Sequence, residues 1–229
     1  RIRAAKKALE AEAKAPPPDE DDVPGPSSGM MKGGPLRAPD GGPPDRAQRN
    51  FTDPDSRIQP TRSGFIAGYN AQIAVDGAHQ IIIAQTMRTN PADRGALKPL
   101  LTAARAALKT NPKEVSADAG YCSEANLVHL ARRGIAAYVA TGRAGHAQTQ
   151  SGANPREKGS RIAAMALKLR RARWRSRYRL RKQIVEPVFG QIKHARGFRQ
   201  FSLRGFDQVK NEWAMLCTVH NLLKLYSAT

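Results

Sequence analysis

The chain has 229 residues, with 38 Lys and Arg against 19 Asp and Glu and a formal net charge of +19. A surplus of that size repels itself until a polyanion neutralises it, which points to nucleic acid. A membrane partner is excluded as an expectation, because no apolar run approaches the roughly 20 residues a spanning helix needs. The two cysteines, Cys122 and Cys217, lie far apart and outside any metal or redox motif, so they read as small core residues of a cytoplasmic protein.

Residues 1–15 are rich in Ala, Lys and Glu and predict a charged helix that packs on something outside this chain. Residues 16–49 are rich in Pro, Gly and Asp and bury too little apolar surface to offset their ordering entropy, which predicts a disordered linker. The ordered domain spans 50–227. In Tyr69–Asp76, the apolar residues Tyr69, Ala71, Ile73 and Val75 alternate with Asn70, Gln72 and Ala74, the period of a strand. Asp76-Gly77 is a turn signal, and Gln80–Gln85 is a β-branched run that completes a hairpin. Asn90, Pro91 and Asp93 suit the start of a helix carrying Leu97, Leu100, Leu101, Ala104 and Leu108. Val115–Asp118 is a short strand. Ser123 caps a helix with Leu127, Leu130 and Ala131, and Gly134 lies past its end. Ile135–Thr141 is a further strand, 142–160 a polar loop, and a very basic helical region runs to about Ala195. A last helix covers about Asp207–Tyr226. The order of elements is that of an α/β domain.

Two carboxylates stand out. On a helix at about 100° per residue, Tyr178, Lys182, Glu186 and Lys193 share one arc, while Ile184, Val185, Val188 and Ile192 share the adjoining one. One face packs; its neighbour presents a carboxylate among cations and a phenol. The plainer reading is a solvated Lys182–Glu186 pair, and Pro187 should bend the helix. Asp118 sits at a strand end, where functional carboxylates of α/β sheets are common, although an Asx turn with Gly120 explains it equally. Together, Asp118 and Glu186 form a hard oxygen site suited to Mg2+ or Mn2+, able to polarise a phosphodiester for in-line attack.

Several segments in order carry a family resemblance: NFTDPDSR (50–57), GYNAQIAVD (68–76), SADAGYCSEANL (116–127), YRLRKQIVEPVFGQIKHARGFRQFSLRG (178–205) and EWAMLCTVHNLLKL (212–225). The chain resembles bacterial insertion-sequence transposases of the DDE class, in the group with a Tyr-Arg-Glu-Lys signature around the catalytic Glu. The resemblance implies an RNase H-like fold, an Asp-Asp-Glu triad and divalent metal. By position, Asp118 matches the second Asp, Glu186 the Glu, and Tyr178, Arg181 or Lys182, and Lys193 the signature residues. The usual pattern has Arg four residues before the Glu; here that place holds Lys182, with Arg181 beside it.

The resemblance places the first Asp on a strand before the 69–85 hairpin, and no such strand precedes it here. The expectation is therefore a DDE domain lacking its first strand, inactive alone, with that Asp upstream of residue 1. Asp55 and Asp76 are fallback candidates. The implied partners are DNA, both insertion-sequence ends and target, with a nucleoid-associated location and a homo-oligomeric assembly. Phosphate contacts are expected from Arg173, Arg175, Arg177, Arg196 and Arg199, with Phe198 and Phe201 as core residues. The alternatives are a non-catalytic nucleic-acid-binding remnant and an RNase H-like nuclease unconnected with transposition.

Overall fold

The computed structural model describes residues 2–16, 42–43, 47–61, 64–141, 160–172 and 181–228. Most of the predicted linker, the polar loop from 142 to 159 and residues 173–180 lie outside the described residues. Helix α1 spans Ile2–Lys14. Glu12 on its outer face pairs with Arg49 and Arg57, so the helix is tied to the segment that opens the ordered domain.

A hairpin that the sequence does not announce comes next. Strands β1 (Arg57–Thr61) and β2 (Gly64–Gly68) pair antiparallel, Ile58 opposite Ala67. Most of β2 is exposed, Phe65 and Ile66 included, so neither face shows the apolar alternation that marks a half-buried strand. The foreseen hairpin follows: β3 (Asn70–Val75) pairs antiparallel with β4 (Ile82–Arg88), Ile73 opposite Gln85. The second strand starts two residues later than expected, because Gln80 turns with a left-handed φ of +60°. Asp76 shapes that turn by accepting bonds from the Ala78 and His79 N–H groups at 3.1 and 2.7 Å.

Helix α2 (Leu97–Leu108) begins after a short 3-10 turn at Arg94–Ala96. Asn90 does not cap it; its side chain accepts from Ala92 N at 2.8 Å. Strand β5 (Glu114–Ala117) pairs in parallel with β6 (Ala136–Val139) across helix α3 (Glu124–Arg132). Ser123 caps α3 by accepting from Asn126 N. Gly134 ends it at φ +68°, with Gly134 N bonded to Ala131 O and Ile135 N to Leu130 O, the paired bonds of a Schellman motif. Helices α4 (Arg161–Ala172), α5 (Arg181–Gly190) and α6 (Phe206–Tyr226) complete a mixed α/β architecture with small sheets.

Two cores result. Ile73, Ile82 and Met87 of the hairpin pack with Val188 and Ile192 after Pro187 and with Val209, Trp213, Leu216 and Cys217 of α6. Ala117, Ala137 and Val139 of the parallel pair pack with Leu127 and Leu130 of α3 and Met165 of α4. Helix α2 serves both sheets: Leu100 and Ala104 lie on the hairpin with Ala84, while Leu97 and Leu101 join the second core. Among the described residues, β3 pairs with β4 alone and β5 with β6 alone. No described helix is long and apolar enough to cross a membrane.

The N-terminus of α6 is held by the NFTDPDSR segment. Gly205, the residue before the helix, has no side chain to cap with, and the first helical N–H groups need acceptors. Buried Asp53 accepts from Gly205 N at 3.2 Å, and Asp55 from Phe206 N at 3.1 Å. Asp53 also accepts from the Tyr69 hydroxyl at 2.7 Å. Burial first, and then the bond to Asp53, push the Tyr69 phenol above its ordinary range, so it remains a donor. Asp53→Ala leaves these donors unpaired and should cost about 2–4 kcal/mol in urea unfolding; a cost under about 1 kcal/mol would show that α6 begins without this anchor.

Candidate functional site

Asp118 follows the last residue of β5 and opens a 3-10 turn at Ala119–Tyr121. Its Oδ1 accepts from Gly120 N at 3.1 Å, so the expected Asx turn is present. That bond holds the carboxylate at the C-terminal end of the strand. Gly120 has no room for a side chain: a Cβ there would collide with Asp93 Oδ2 and lie 3.1 Å from the Asp93 Cβ and Cγ.

Glu186 lies on α5, and the helix is anchored through its proline. Pro187 has no N–H to give to the carbonyl of Gln183, four residues earlier. The Gln80 side-chain amide supplies the missing donor, reaching Gln183 O at 2.9 Å. The apolar arc then faces inward, with Val188 and Ile192 buried, while Lys182, Glu186 and Lys193 are exposed. Past Gly190 the helix widens into a π turn at Gln191–Ala195, closed by Arg196 N on Gln191 O. Such turns recur at functional sites. This one carries Lys193, whose ammonium lies 5.7 Å from the centre of the Phe189 ring. Arg181 begins α5. Tyr178, Arg173, Arg175 and Arg177 lie outside the described residues.

The second basic cluster is partly structural. Arg196 donates to His220 Nδ1 at 3.3 Å, and His220 Nε2 in turn donates to Gln80 O at 3.0 Å. A guanidinium can only donate, so the ring must be neutral with its proton on Nε2. Arg199 stands 3.3 Å from His194 Nδ1 and is exposed, as are Lys193 and Arg204. Phe201 packs edge-on against Trp213, at 6.3 Å between ring centres, and is a core residue as expected. Phe198 departs from that expectation and is exposed.

The two sequence-predicted carboxylates thus stand on different halves of the fold. Asp118 ends a strand of the second core, and Glu186 sits on a helix of the first. Their oxygens are the hard donors that Mg2+ or Mn2+ prefers. Among the described residues, no group of three or more His, Cys, Asp or Glu side chains is disposed to hold a metal ion. Asp55 and Asp76 are both engaged elsewhere, one at the start of α6 and the other in the hairpin turn.

Sequence reasoning missed the roles of five polar residues that shape this region: Asp93, Asn126, Glu212, Gln80 and His220. Asp93 reads as a first-turn acid, yet it accepts nothing from its own helix; its Oδ1 takes bonds from Asn70 Nδ2 and Gln72 Nε2, each at 2.8 Å. Asn126 is fully buried and donates to Arg94 O and Tyr121 O. Buried Glu212 accepts from Ser202 N and Leu203 N and holds the basic loop on α6. Gln80 contacts α5 and, through Lys224 and His220, α6. A polar residue at an apolar helical position was the available signal for Glu212 and His220; for Asp93 and Gln80 the partners are distant in sequence.

Compared with known families, residues 32–222 match the one described as the transposase DDE domain. No curated protein and no solved structure matches the chain.

Burial, chiefly, and the nearby Arg196 and Lys224 hold the His220 imidazole below its ordinary value of 6.5, against the opposing bond to Gln80 O. The unfolded chain therefore takes up this proton before the folded one does. Stability from this group is complete above about pH 6.5 and is lost as pH falls from there toward the depressed folded value. His220→Gln should reduce the acid-side slope of unfolding free energy against pH by up to about 1.4 kcal/mol per unit. Chemical denaturation between pH 7 and 5 checks this, and identical slopes would place the titration elsewhere.

Proposed function

The chain belongs to the DDE transposase family, and from that premise we propose that it carries part of a metal-dependent DNA cleavage and strand-transfer site acting on the ends of an insertion sequence. Asp118 and Glu186 are the ligands this chain contributes toward Mg2+ or Mn2+. When bound, such an ion polarises a phosphodiester and lowers the pKa of an attacking hydroxyl or water. The chain's own residues do the rest. The Gly120 N–H orients the Asp118 carboxylate, and the Gln80–Gln183 bond fixes the helix bearing Glu186. The exposed Lys182 and Lys193 flank that carboxylate with positive charge suited to a phosphate. Arg181 and Tyr178 are the further signature positions in this reading.

The observation that carries the proposal is the sheet topology taken with the family. In an RNase H-like sheet, one strand lies between the equivalents of β3 and β5 and bears the first Asp. Here β3 and β5 are each paired on one side only among the described residues, and Asp118 follows β5 directly. In this reading the family's first strand, with its Asp, completes the sheet and brings the third carboxylate to Asp118 and Glu186, and nicking depends on it.

DNA is held largely through phosphates, since the net charge is +19, Lys193 and Arg199 are exposed in and beside the π turn, and Arg204 is exposed in the loop that follows. Arg196 has a double role, bonded to His220 on one side and available to phosphate with its remaining donors.

The test is Mg2+-dependent nicking of DNA bearing the element's ends, by protein in which the completing strand is present. Asp118→Asn and Glu186→Gln should each slow nicking by about a hundredfold or more, beyond what outer-shell partners of a metal usually cost. Nicking that survives both substitutions would sink the assignment. Separately, Arg199→Ala should lower the slope of log affinity against log salt by about 1; an unchanged slope would mean that its guanidinium does not meet the DNA backbone.

A further inference from the structure

The turn after β4 and the turn after β5 are cross-tied by polar groups that the proposed chemistry does not use. Asp93, in the first turn, draws both the Asn70 and Gln72 side-chain amides onto its Oδ1 at 2.8 Å. Its other oxygen is seated against Gly120 in the second turn, where no Cβ fits. One residue along on each side, the buried Asn126 amide spans the same junction, donating to Arg94 O at 2.8 Å and Tyr121 O at 2.9 Å. Gly120 is also the donor that holds Asp118 Oδ1.

We propose that Asp93 is a positioning residue for Asp118: its carboxylate, pinned to β3 by two amides, is the stop against which the Asp118–Gly120 turn is set. Gln72 is buried and Asn70 partly so; Asn70 Nδ2 also reaches Asn90 O and Pro91 O, Gln72 Nε2 also reaches Asn70 Oδ1, and Asp93 Oδ1 is the acceptor the two amides share. A carboxylate oxygen accepts two such bonds at once. With that oxygen fixed, the second one limits how closely Gly120 can approach, and so where the Gly120 N–H and the carboxylate bonded to it come to rest. This contact runs from the β3–β4 sheet to the β5–β6 sheet, which the described strands do not join by any ladder. Asp93 therefore relays the position of β3 to the end of β5. The inference rests on the reading of Asp118 as a metal ligand, while its structural half stands on the contacts alone.

The test uses the full chain and two readouts, amide hydrogen exchange at Gly120 and Mn2+ affinity followed by water-proton relaxation. Asp93→Ala should speed Gly120 exchange at least about tenfold beyond any change in β4 and β5, and weaken Mn2+ by about tenfold or more. Asp93→Asn keeps a carbonyl oxygen for the two amides and should restore most of both. Gly120→Ala should cost more when Asp93 is present than in the Asp93→Ala background, where the colliding oxygen is gone. The proposal is overturned if Gly120 exchange in Asp93→Ala merely follows β4 and β5. It is also overturned if Asp118→Asn weakens Mn2+ and Asp93→Ala does not. Mn2+ affinity that survives Asp118→Asn overturns the metal reading of Asp118 instead, and exchange at Gly120 still decides whether Asp93 sets the turn.

Discussion

Pro187 removes one N–H from α5 and leaves the carbonyl of Gln183 without its helical donor. A missing hydrogen bond inside a helix is usually a defect, but here it becomes a fastening point. Gln80, at the tip of the central hairpin, fills it with a side-chain amide. Gln80 can do so because its backbone turns left-handed, an unusual state for a residue with a Cβ and one that persists where surrounding contacts over-determine it. Those contacts are two: its carbonyl accepts from His220, and its Oε1 accepts from Lys224 at 2.7 Å. One strained residue therefore locks α5 and α6 onto the same hairpin. The exposed position of Glu186 and the orientation of Arg196 both follow from that lock.

The other half of the molecule is organised by a different constraint. Two sheets without a shared ladder must be held in register by something else. Helix α2 supplies the apolar part, lying on both, and Asp93 and Asn126 supply the polar part at the ends of β4 and β5. Side-chain hydrogen bonds of this kind are modest singly, about 0.5–1.5 kcal/mol each, but removing one partner in a buried setting costs the desolvation of the other. The junction is therefore specific in geometry while contributing little net stability. That combination suits a place where a carboxylate must be aimed.

What was legible in the sequence follows from how local the signals are. The β3–β4 hairpin, α3 with its Ser123 cap and Gly134 end, and the packed arc of Val188 and Ile192 are all written in short-range periodicity and capping chemistry. The β1–β2 hairpin was not, because Phe65 and Ile66 are exposed and Pro60 and Gly64 read as breakers. Asp118 and Glu186 could be singled out by type and spacing. The roles of Asp93 and Gln80 could not, since their partners lie between 21 and 144 residues away. A polar residue whose bond is closed by tertiary contact carries no signature in its neighbours.

The fate of the remaining acids sharpens where a third carboxylate can come from. Asp55 is committed to the Phe206 N–H at the positive end of α6, where a negative charge is favoured by the helix dipole. Asp53 is buried beneath Tyr69 and Gly205, and Asp76 is folded onto its own turn. Moving Asp53 to a metal would strip partly buried donors of a carboxylate acceptor, at roughly 1–3 kcal/mol each. Asp93 stands against the Asp118–Gly120 turn, yet its Oδ1 is claimed by two amides and its Oδ2 rests on Gly120. These four carboxylates are thus spent on the scaffold. In the proposed reading, a strand between β3 and β5 would satisfy two ladder edges and deliver an acid in one step.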